Sequence, residues 1–132
     1  MSGEASAVRS IFAVAAGFFA AAILSLCGDV ALRAAAPRAF DAAGQGNASW
    51  VLLLMLAYSA LFTFAGAYLA ARIAIRKPVV HALAAGGVVL LVSVASTVVA
   101  WSTAPAWFHI TALVLIMPAA FLAGTLRERQ PH

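Results

Sequence analysis

One stretch, residues 66–82, decides the fold and reads GAYLAARIAIRKPVVHA. It ends one apolar run and then places three cations close together, Arg72, Arg76 and Lys77. A second apolar run begins at Pro78, and proline is accepted in the first turn of a helix because its missing N–H has no partner there. The stretch therefore predicts a tight turn between two membrane-spanning helices, with its cations at a membrane surface.

The composition favours a chain that is embedded in a lipid bilayer. Of the 132 residues, 65% are hydrophobic and 9% are charged, whereas a soluble domain averages about 25% charged residues. One small globular core could not bury so much apolar surface. The net charge of +4 comes from cations that flank apolar runs. We therefore expect the lipid bilayer as the main partner and no nucleic-acid partner.

The sequence contains three long uncharged runs, and their lengths predict four membrane-spanning helices. About 20 apolar residues are enough to cross a hydrocarbon core of about 30 Å. The runs 10–28 and 42–71 each contain one such segment. The run 78–126 is far too long for one crossing, so we expect it to turn back near Pro105. The fold class is an all-α polytopic membrane four-helix bundle, a single transmembrane domain over 1–132. Its predicted helices are 8–32, 50–75, 79–101 and 106–126, with an outer loop over 33–49 and a cytoplasmic tail over 127–132.

Cations and tryptophans indicate how the bundle is oriented. Lysine and arginine are concentrated on the cytoplasmic side of membrane proteins, and tryptophan is enriched at the interfaces. Most cations fall on the side of the termini and of the central turn, and Trp50, Trp101 and Trp107 fall on the other side. We expect a multi-pass protein of the bacterial inner membrane with both termini cytoplasmic. The cations on the side of the termini are Arg9, Arg72, Arg76, Lys77, Arg127 and Arg129, and those on the other side are Arg33 and Arg38.

The first apolar run has an alternative interpretation as a cleaved signal. Signal peptides have an apolar core of about 7–15 residues, and the run 10–28 is longer. We therefore expect it to be a membrane helix. Cys27 is the single cysteine, so the chain forms no internal disulfide and no cysteine-rich zinc site.

Asp29 lies near the outer end of predicted helix 1, and Arg33 follows just after that helix. An ionisable group within a membrane is a functional candidate because its burial is costly. The two residues are four positions apart and can pair along one face of the helix. The sequence leaves two possibilities: an interfacial ion pair, or a proton or cation site at Asp29 that faces the bundle.

Tyr68, Arg72 and His81 are the candidates near the predicted cytoplasmic turn. Tyr68 and Arg72 share a helix face, and we expect Arg72 to extend to the lipid headgroups. Binding of an anionic lipid or of a partner's carboxylate is the alternative for Arg72. His81 begins helix 3 and His109 begins helix 4 at the opposite end, so they cannot share a metal ion. We expect both histidines to be exposed amphipathic residues at the interfaces.

Small and hydroxyl residues form stripes that suit close helix packing in lipid. One stripe on helix 2 contains Ser59, Thr63, Gly66 and Ala70. The sequence contains no Ser-His-Asp set, paired carboxylates, phosphate-binding glycine loop or haem-ligating histidine pair. We therefore expect no catalytic residues, no cofactor and no metal site.

The central turn resembles a stretch found in small, uncharacterised four-helix membrane proteins of bacteria. In those proteins helix 2 ends with the pattern G-G-Y-x-A-A-R and a histidine follows soon after. The resemblance implies a four-helix fold and a membrane location but no activity. The chain is also similar in length and helix number to small multidrug-resistance transporters, but its first helix lacks the glutamate on which they depend. The residues that match the first pattern are Gly66, Tyr68, Ala70, Ala71, Arg72 and His81.

These observations favour a non-enzymatic accessory or assembly subunit that works with a membrane-protein partner. The reason is the nearly uninterrupted apolar sequence, which lacks a polar cluster. The alternative is a small homo-oligomeric transporter or channel. In that case, several subunits would assemble a polar path from Ser25, Asp29, Ser59 and Thr63.

Overall fold

The computed structural model describes residues 3–42, 45 and 48–131 of the chain. Within these residues it contains four long α-helices and no β-strand. Each helix is long and apolar enough to cross a membrane, which confirms the predicted four-helix membrane bundle. The helices are α1 (Gly3–Ala35), α2 (Ser49–Ile73), α3 (Pro78–Val99) and α4 (Ala106–Arg129), and short 3-10 turns span Pro37–Ala39 and Trp101–Thr103.

The outer helices α1 and α4 extend beyond their predicted bounds. α1 has 33 residues, which corresponds to about 50 Å at 1.5 Å per residue, against a hydrocarbon core of about 30 Å. α4 continues to Arg129 and includes residues 127–129, half of the predicted tail. Charged residues such as Arg9 and Arg127 border the apolar runs, but Arg and Glu are good helix formers. Hydropathy therefore located the membrane crossings and not the ends of these helices.

The segments 74–77 and 100–105 that join the helices are short, whereas the link between α1 and α2 spans 36–48. Within the predicted outer loop 33–49, Ala39 is buried and packs with Leu32 and Val51, which closes the link between α1 and α2. Residues 43, 44, 46 and 47 of that loop, and His132 of the predicted tail, lie outside the described residues.

Contacts between helix ends show that the four helices alternate in direction. The Nε–H of Arg9 in α1 donates a hydrogen bond to the carbonyl oxygen of Ile73 in α2, at 2.9 Å. Tyr68 of α2 contacts Gln130, which follows α4. We call this end the basic end and the opposite end the tryptophan end. The basic end carries Arg9, Arg72, Arg76, Lys77, Arg127 and Arg129, and the tryptophan end carries Trp50, Trp101 and Trp107.

The helix α2 lies at the centre of the bundle. It packs against the other three helices, whereas α1 packs on α2 and α3 and has little contact with α4. The largest buried cluster consists of alanines from three helices, which allow the backbones to approach closely. These alanines are Ala67 and Ala71 of α2, Ala82 of α3, and Ala120 and Ala123 of α4.

Glycines set the closest approaches between helices. A Cβ atom built on Gly17 of α1 would lie 2.5 Å from the carbonyl oxygen of Gly66 in α2. A Cβ atom on Gly86 of α3 would lie 2.5 Å from the Cβ of Ala120 in α4. Both separations are shorter than real Cβ contacts, so only glycine fits at these positions without a shift of the helices. The small-residue faces are therefore used for packing within one subunit.

Candidate functional site

The five site residues predicted from sequence do not form one cluster. Asp29 and Arg33 belong to the last turns of α1, near the tryptophan end. Tyr68 and Arg72 lie in the last turns of α2, and His81 lies in the first turn of α3, at the basic end. Each group is therefore described with the residues that contact it.

Asp29 faces α2 and is half-buried. The hydroxyl of Tyr58 in α2 donates a hydrogen bond to Asp29 Oδ1. Gly28 makes room for this contact, since a Cβ atom there would lie 2.9 Å from the Phe62 ring and 3.1 Å from the Tyr58 ring. Sequence reasoning missed Tyr58 because only the register of α1 against α2 identifies it as the partner of Asp29.

Arg33 lies beside an aromatic ring at the end of α1. Its guanidinium carbon is 4.7 Å from the centroid of the Phe40 ring, a geometry that gives a cation–π attraction. This contact ties the last turn of α1 to the 3-10 turn that follows it. The predicted ion pair between Asp29 and Arg33 stays a prediction.

Tyr68 and Arg72 line a cavity of about 320 Å³ at the basic end, which we call the arginine cavity. The rest of its wall comes from the end of α4 and the residues after it: Arg127, Gln130 and Pro131. The Tyr68 hydroxyl donates a hydrogen bond of 2.5 Å to Gln130 Oε1, which joins α2 to the end of α4. The cavity is thus lined by two arginines from different helices, Arg72 and Arg127.

The length of α4 explains why the second arginine was not predicted at this site. Tyr68 and Arg72 are four residues apart on α2, and such residues share one helix face. Arg127 reaches the same cavity only because α4 remains helical to Arg129. With the helix predicted to end at residue 126, Arg127 was assigned to a tail. The helix-forming sequence TLRER at 125–129 is the signal that could have revealed it.

The arginine cavity is electropositive. The C-terminal ends of α2 and α4 each contribute about half a negative elementary charge, and Arg72 and Arg127 each carry a full positive charge. Among the described residues no carboxylate lines the cavity, and Glu128 is exposed outside it. Two guanidinium groups with a hydroxyl and an amide nearby match the chemistry of a carboxylate or phosphate ligand.

His81 links α3 to α1. Its Nδ1 lies 3.0 Å from the carbonyl oxygen of Lys77, and its Nε2 lies 2.9 Å from the hydroxyl of Ser10. A carbonyl oxygen only accepts hydrogen bonds, so a neutral imidazole here carries its proton on Nδ1 and accepts the Ser10 hydroxyl at Nε2. The predicted interfacial His81 is therefore half-buried and hydrogen-bonded.

The prediction that His109 is exposed is wrong, because its side chain is only 6% exposed. The 3-10 turn Trp101–Thr103 folds back over the start of α4. The Trp101 and His109 rings stack with centroids 5.2 Å apart, and His109 Nε2 lies 3.2 Å from the Trp101 carbonyl oxygen. His109 therefore closes the tryptophan end of the hairpin formed by α3 and α4.

The predicted stripe on α2 is divided between two neighbouring helices. Ser59 and Thr63 line a cavity of about 10 Å³ against α4, which is close to the smallest space that holds one water molecule. Gly66 and Ala70 instead approach Gly17 of α1. The hydroxyl groups therefore lie at the interface of α2 with α4, whereas Asp29 lies at the interface of α1 with α2.

Within residues 3–42, 45 and 48–131, no three His, Cys, Asp or Glu side chains are close enough together to hold a metal ion. Comparison with protein-family models, curated proteins and solved structures finds no match to this chain. The candidate site is therefore argued from the geometry of the chain alone.

Proposed function

We propose that this chain is a non-enzymatic accessory or assembly subunit of the bacterial inner membrane, and that its arginine cavity holds a carboxylate of a membrane-protein partner. The observation that supports this best is the convergence of Arg72 and Arg127, from two helices, on one cavity. Arginine binds carboxylates through two parallel hydrogen bonds, which give orientation as well as affinity. A subunit that recognises another protein needs this kind of directed contact.

The position of the cavity favours a protein ligand near the membrane surface. The basic end carries most of the cations, and we place it in the cytoplasm together with both termini, as the preference of lysine and arginine for that side suggests. A volume of about 320 Å³ is at the lower end of the range for small-molecule pockets. It has room for one acidic side chain, or for a chain end, of a neighbouring protein.

The other polar groups support the role of a rigid subunit, because they connect helices within the bundle. Tyr58 joins α2 to Asp29 of α1. Arg9 joins α1 to the end of α2, and His81 joins α3 to α1. These side chains stabilise the arrangement of the helices, whereas the arginine cavity is open to another molecule.

Native mass spectrometry of the tagged protein, extracted gently from its own membrane, tests this proposal. We expect a stoichiometric complex with a different membrane protein. Replacing both cavity arginines, Arg72→Gln with Arg127→Gln, should release that partner, whereas Arg76→Gln with Arg129→Gln removes the same charge and should retain it. Transport of a substrate across liposomes by the purified protein alone would contradict the proposal.

The second candidate function is a small homo-oligomeric transporter or channel. It is favoured by Asp29, a half-buried ionisable residue that faces the neighbouring helix, since such residues often mark ion or proton pathways. In this case native mass spectrometry would give a defined homo-oligomer. Flux in liposomes would then fall in the variants Asp29→Asn and Ser59→Ala.

A further inference from the structure

A lateral groove separates α1 from α3 on the outside of the bundle and has a volume of about 490 Å³. We call it the α1–α3 groove. Its walls are apolar and include Ile11, Phe18 and Phe19 of α1 and Ala84 and Val88 of α3. Polar side chains occur at one end only, where Ser10 and His81 meet.

The groove follows from how α1 is held. Gly17 brings α1 close to both neighbours, since a Cβ atom there would lie 2.5 Å from the Gly66 carbonyl oxygen in α2 and 3.3 Å from the Ala85 Cβ in α3. Overall, α1 packs less extensively on α3 than on α2. The gap toward α3 opens on the lipid side. An empty apolar gap loses the dispersion contacts of its lining atoms, so in a membrane this groove is filled by an apolar chain.

The length of the groove along α1 indicates whether a lipid acyl chain or a protein helix fits into it. It begins at Ser10 and reaches Phe19, nine residues along α1, which is about 14 Å at the helical rise. This is about half of a hydrocarbon core of about 30 Å, the thickness of one leaflet. An acyl chain of the leaflet at the basic end has this reach, whereas a transmembrane helix of another protein would continue across the full core.

The open end of the groove is positively charged. Lys77 lies one turn before His81, and its carbonyl oxygen lies 3.0 Å from His81 Nδ1. Arg9 precedes Ser10 in sequence, but its Nε–H donates to the carbonyl oxygen of Ile73 in α2. No side chain caps the first turn of α3, where Pro78 has no N–H, so the N–H groups of Val79 and Val80 and the positive end of the helix dipole favour an anion nearby. A phosphate at this level would meet Lys77 and the N-terminus of α3.

We propose that the α1–α3 groove binds one acyl chain of an anionic phospholipid from the leaflet at the basic end. The chain lies between α1 and α3, and the phosphate lies beside Lys77 and His81, at the start of α3. This site is separate from the arginine cavity, which α2 and α4 form. The proposal therefore does not depend on the identity of any partner protein.

Photocrosslinking tests the occupant of the groove. The full chain is reconstituted in phosphatidylcholine vesicles that contain a small fraction of phosphatidylglycerol with a diazirine on its acyl chain. We expect crosslinks within residues 11–19 and 80–88. Ala84→Phe on α3 fills the groove and should reduce this labelling several-fold, whereas Ala22→Phe adds the same ring at an exposed position of α1 outside the groove and should not. Both alanines are exposed, and circular dichroism checks that both variants are folded.

A headgroup comparison tests the charge at the open end. Lys77 has a left-handed backbone with φ 53°, which asparagine tolerates, so Lys77→Asn removes the charge without adding strain. We expect this change to lower the preference for phosphatidylglycerol over phosphatidylcholine about fivefold, the effect of one basic residue near an anionic surface. Arg129→Gln removes a charge from the same end, but on α4, and should leave the preference unchanged.

Three results would overturn the proposal. The first is equal labelling by phosphatidylcholine and phosphatidylglycerol probes, both in the unmodified protein and in the Lys77→Asn variant. The second is labelling within 11–19 and 80–88 that Ala84→Phe does not reduce. The third is a crosslink through the groove between two copies of this chain, which would identify the groove as a protein contact.

Discussion

Gly17 of α1 and Gly66 of α2 face each other so closely that a methyl group on either one would meet the carbonyl oxygen of the other. This contact holds the long first helix against the central helix. Gly17 also approaches Ala85 of α3, at the level of the α1–α3 groove. A bulkier residue at this contact would therefore disturb the packing of α1 in the bundle.

Replacing Gly66 with alanine should therefore destabilise the protein. The added methyl group would force α1 away from α2, and such overpacking costs about 1–3 kcal/mol. Unfolding in mixed micelles with increasing denaturing detergent measures the change. Gly87→Ala is the matched control, because a Cβ atom on Gly87 has no neighbour within 4 Å, and alanine is favoured over glycine in a helix. A Gly66→Ala protein as stable as the Gly87→Ala protein would show that the helices do not touch here.

The hydrogen bond between Tyr58 and Asp29 should give a measurable coupling energy. In membrane proteins such bonds average about 0.6 kcal/mol and reach about 1.7 kcal/mol. A double-mutant cycle with Tyr58→Phe and Asp29→Ala should give a value in the upper part of this range, because the acceptor is a carboxylate.

The same cycle with Tyr68→Phe in place of Tyr58→Phe is the control. Tyr68 lies at the basic end and contacts Gln130, so its effect and that of Asp29→Ala should add independently. Additive effects in the first cycle as well would mean that Tyr58 and Asp29 do not interact in the membrane.

The orientation proposed from the cations is tested by labelling cysteines from outside intact cells. Cys27 is the single cysteine and is exposed on α1, so it is first replaced by serine. A membrane-impermeant maleimide should then label Ala42→Cys, which follows the 3-10 turn at the tryptophan end. Arg129→Cys at the basic end should be labelled only after the cells are opened. Labelling of Arg129→Cys in intact cells would reverse the orientation.

The membrane crossings were predictable because they depend on composition along the chain. An uncharged run of about 20 apolar residues is best explained as a membrane helix. The turns near Pro78 and Pro105 were predictable because proline is accepted at the start of a helix but disrupts its interior. The ends of α1 and α4 were not predictable from hydropathy, since Arg9 and Arg127 border the apolar runs but both helices continue past them.

The polar contacts were only partly predictable. The spacing of Tyr68 and Arg72 placed them on one face, as the arginine cavity shows. Their neighbours are far away in sequence, since Arg127 lies in the last turn of α4 and Gln130 follows that helix. Tyr58 meets Asp29 only through the register of α1 against α2. The stripe on α2 that contains Ser59 and Gly66 looked uniform in sequence, but α4 covers its first part and α1 its second.

Site-specific crosslinking from the arginine cavity tests the proposed function most directly. Pro131 is exposed and lines the cavity, so a photoreactive benzoylphenylalanine at this position leaves both arginines in place. We predict one adduct in living cells, to an acidic segment of a different membrane protein. The adduct should be lost with Arg72→Gln and Arg127→Gln and kept with Arg76→Gln and Arg129→Gln. An adduct that persists when both Arg72 and Arg127 are replaced by glutamine would contradict the account. So would an adduct that joins only copies of this chain.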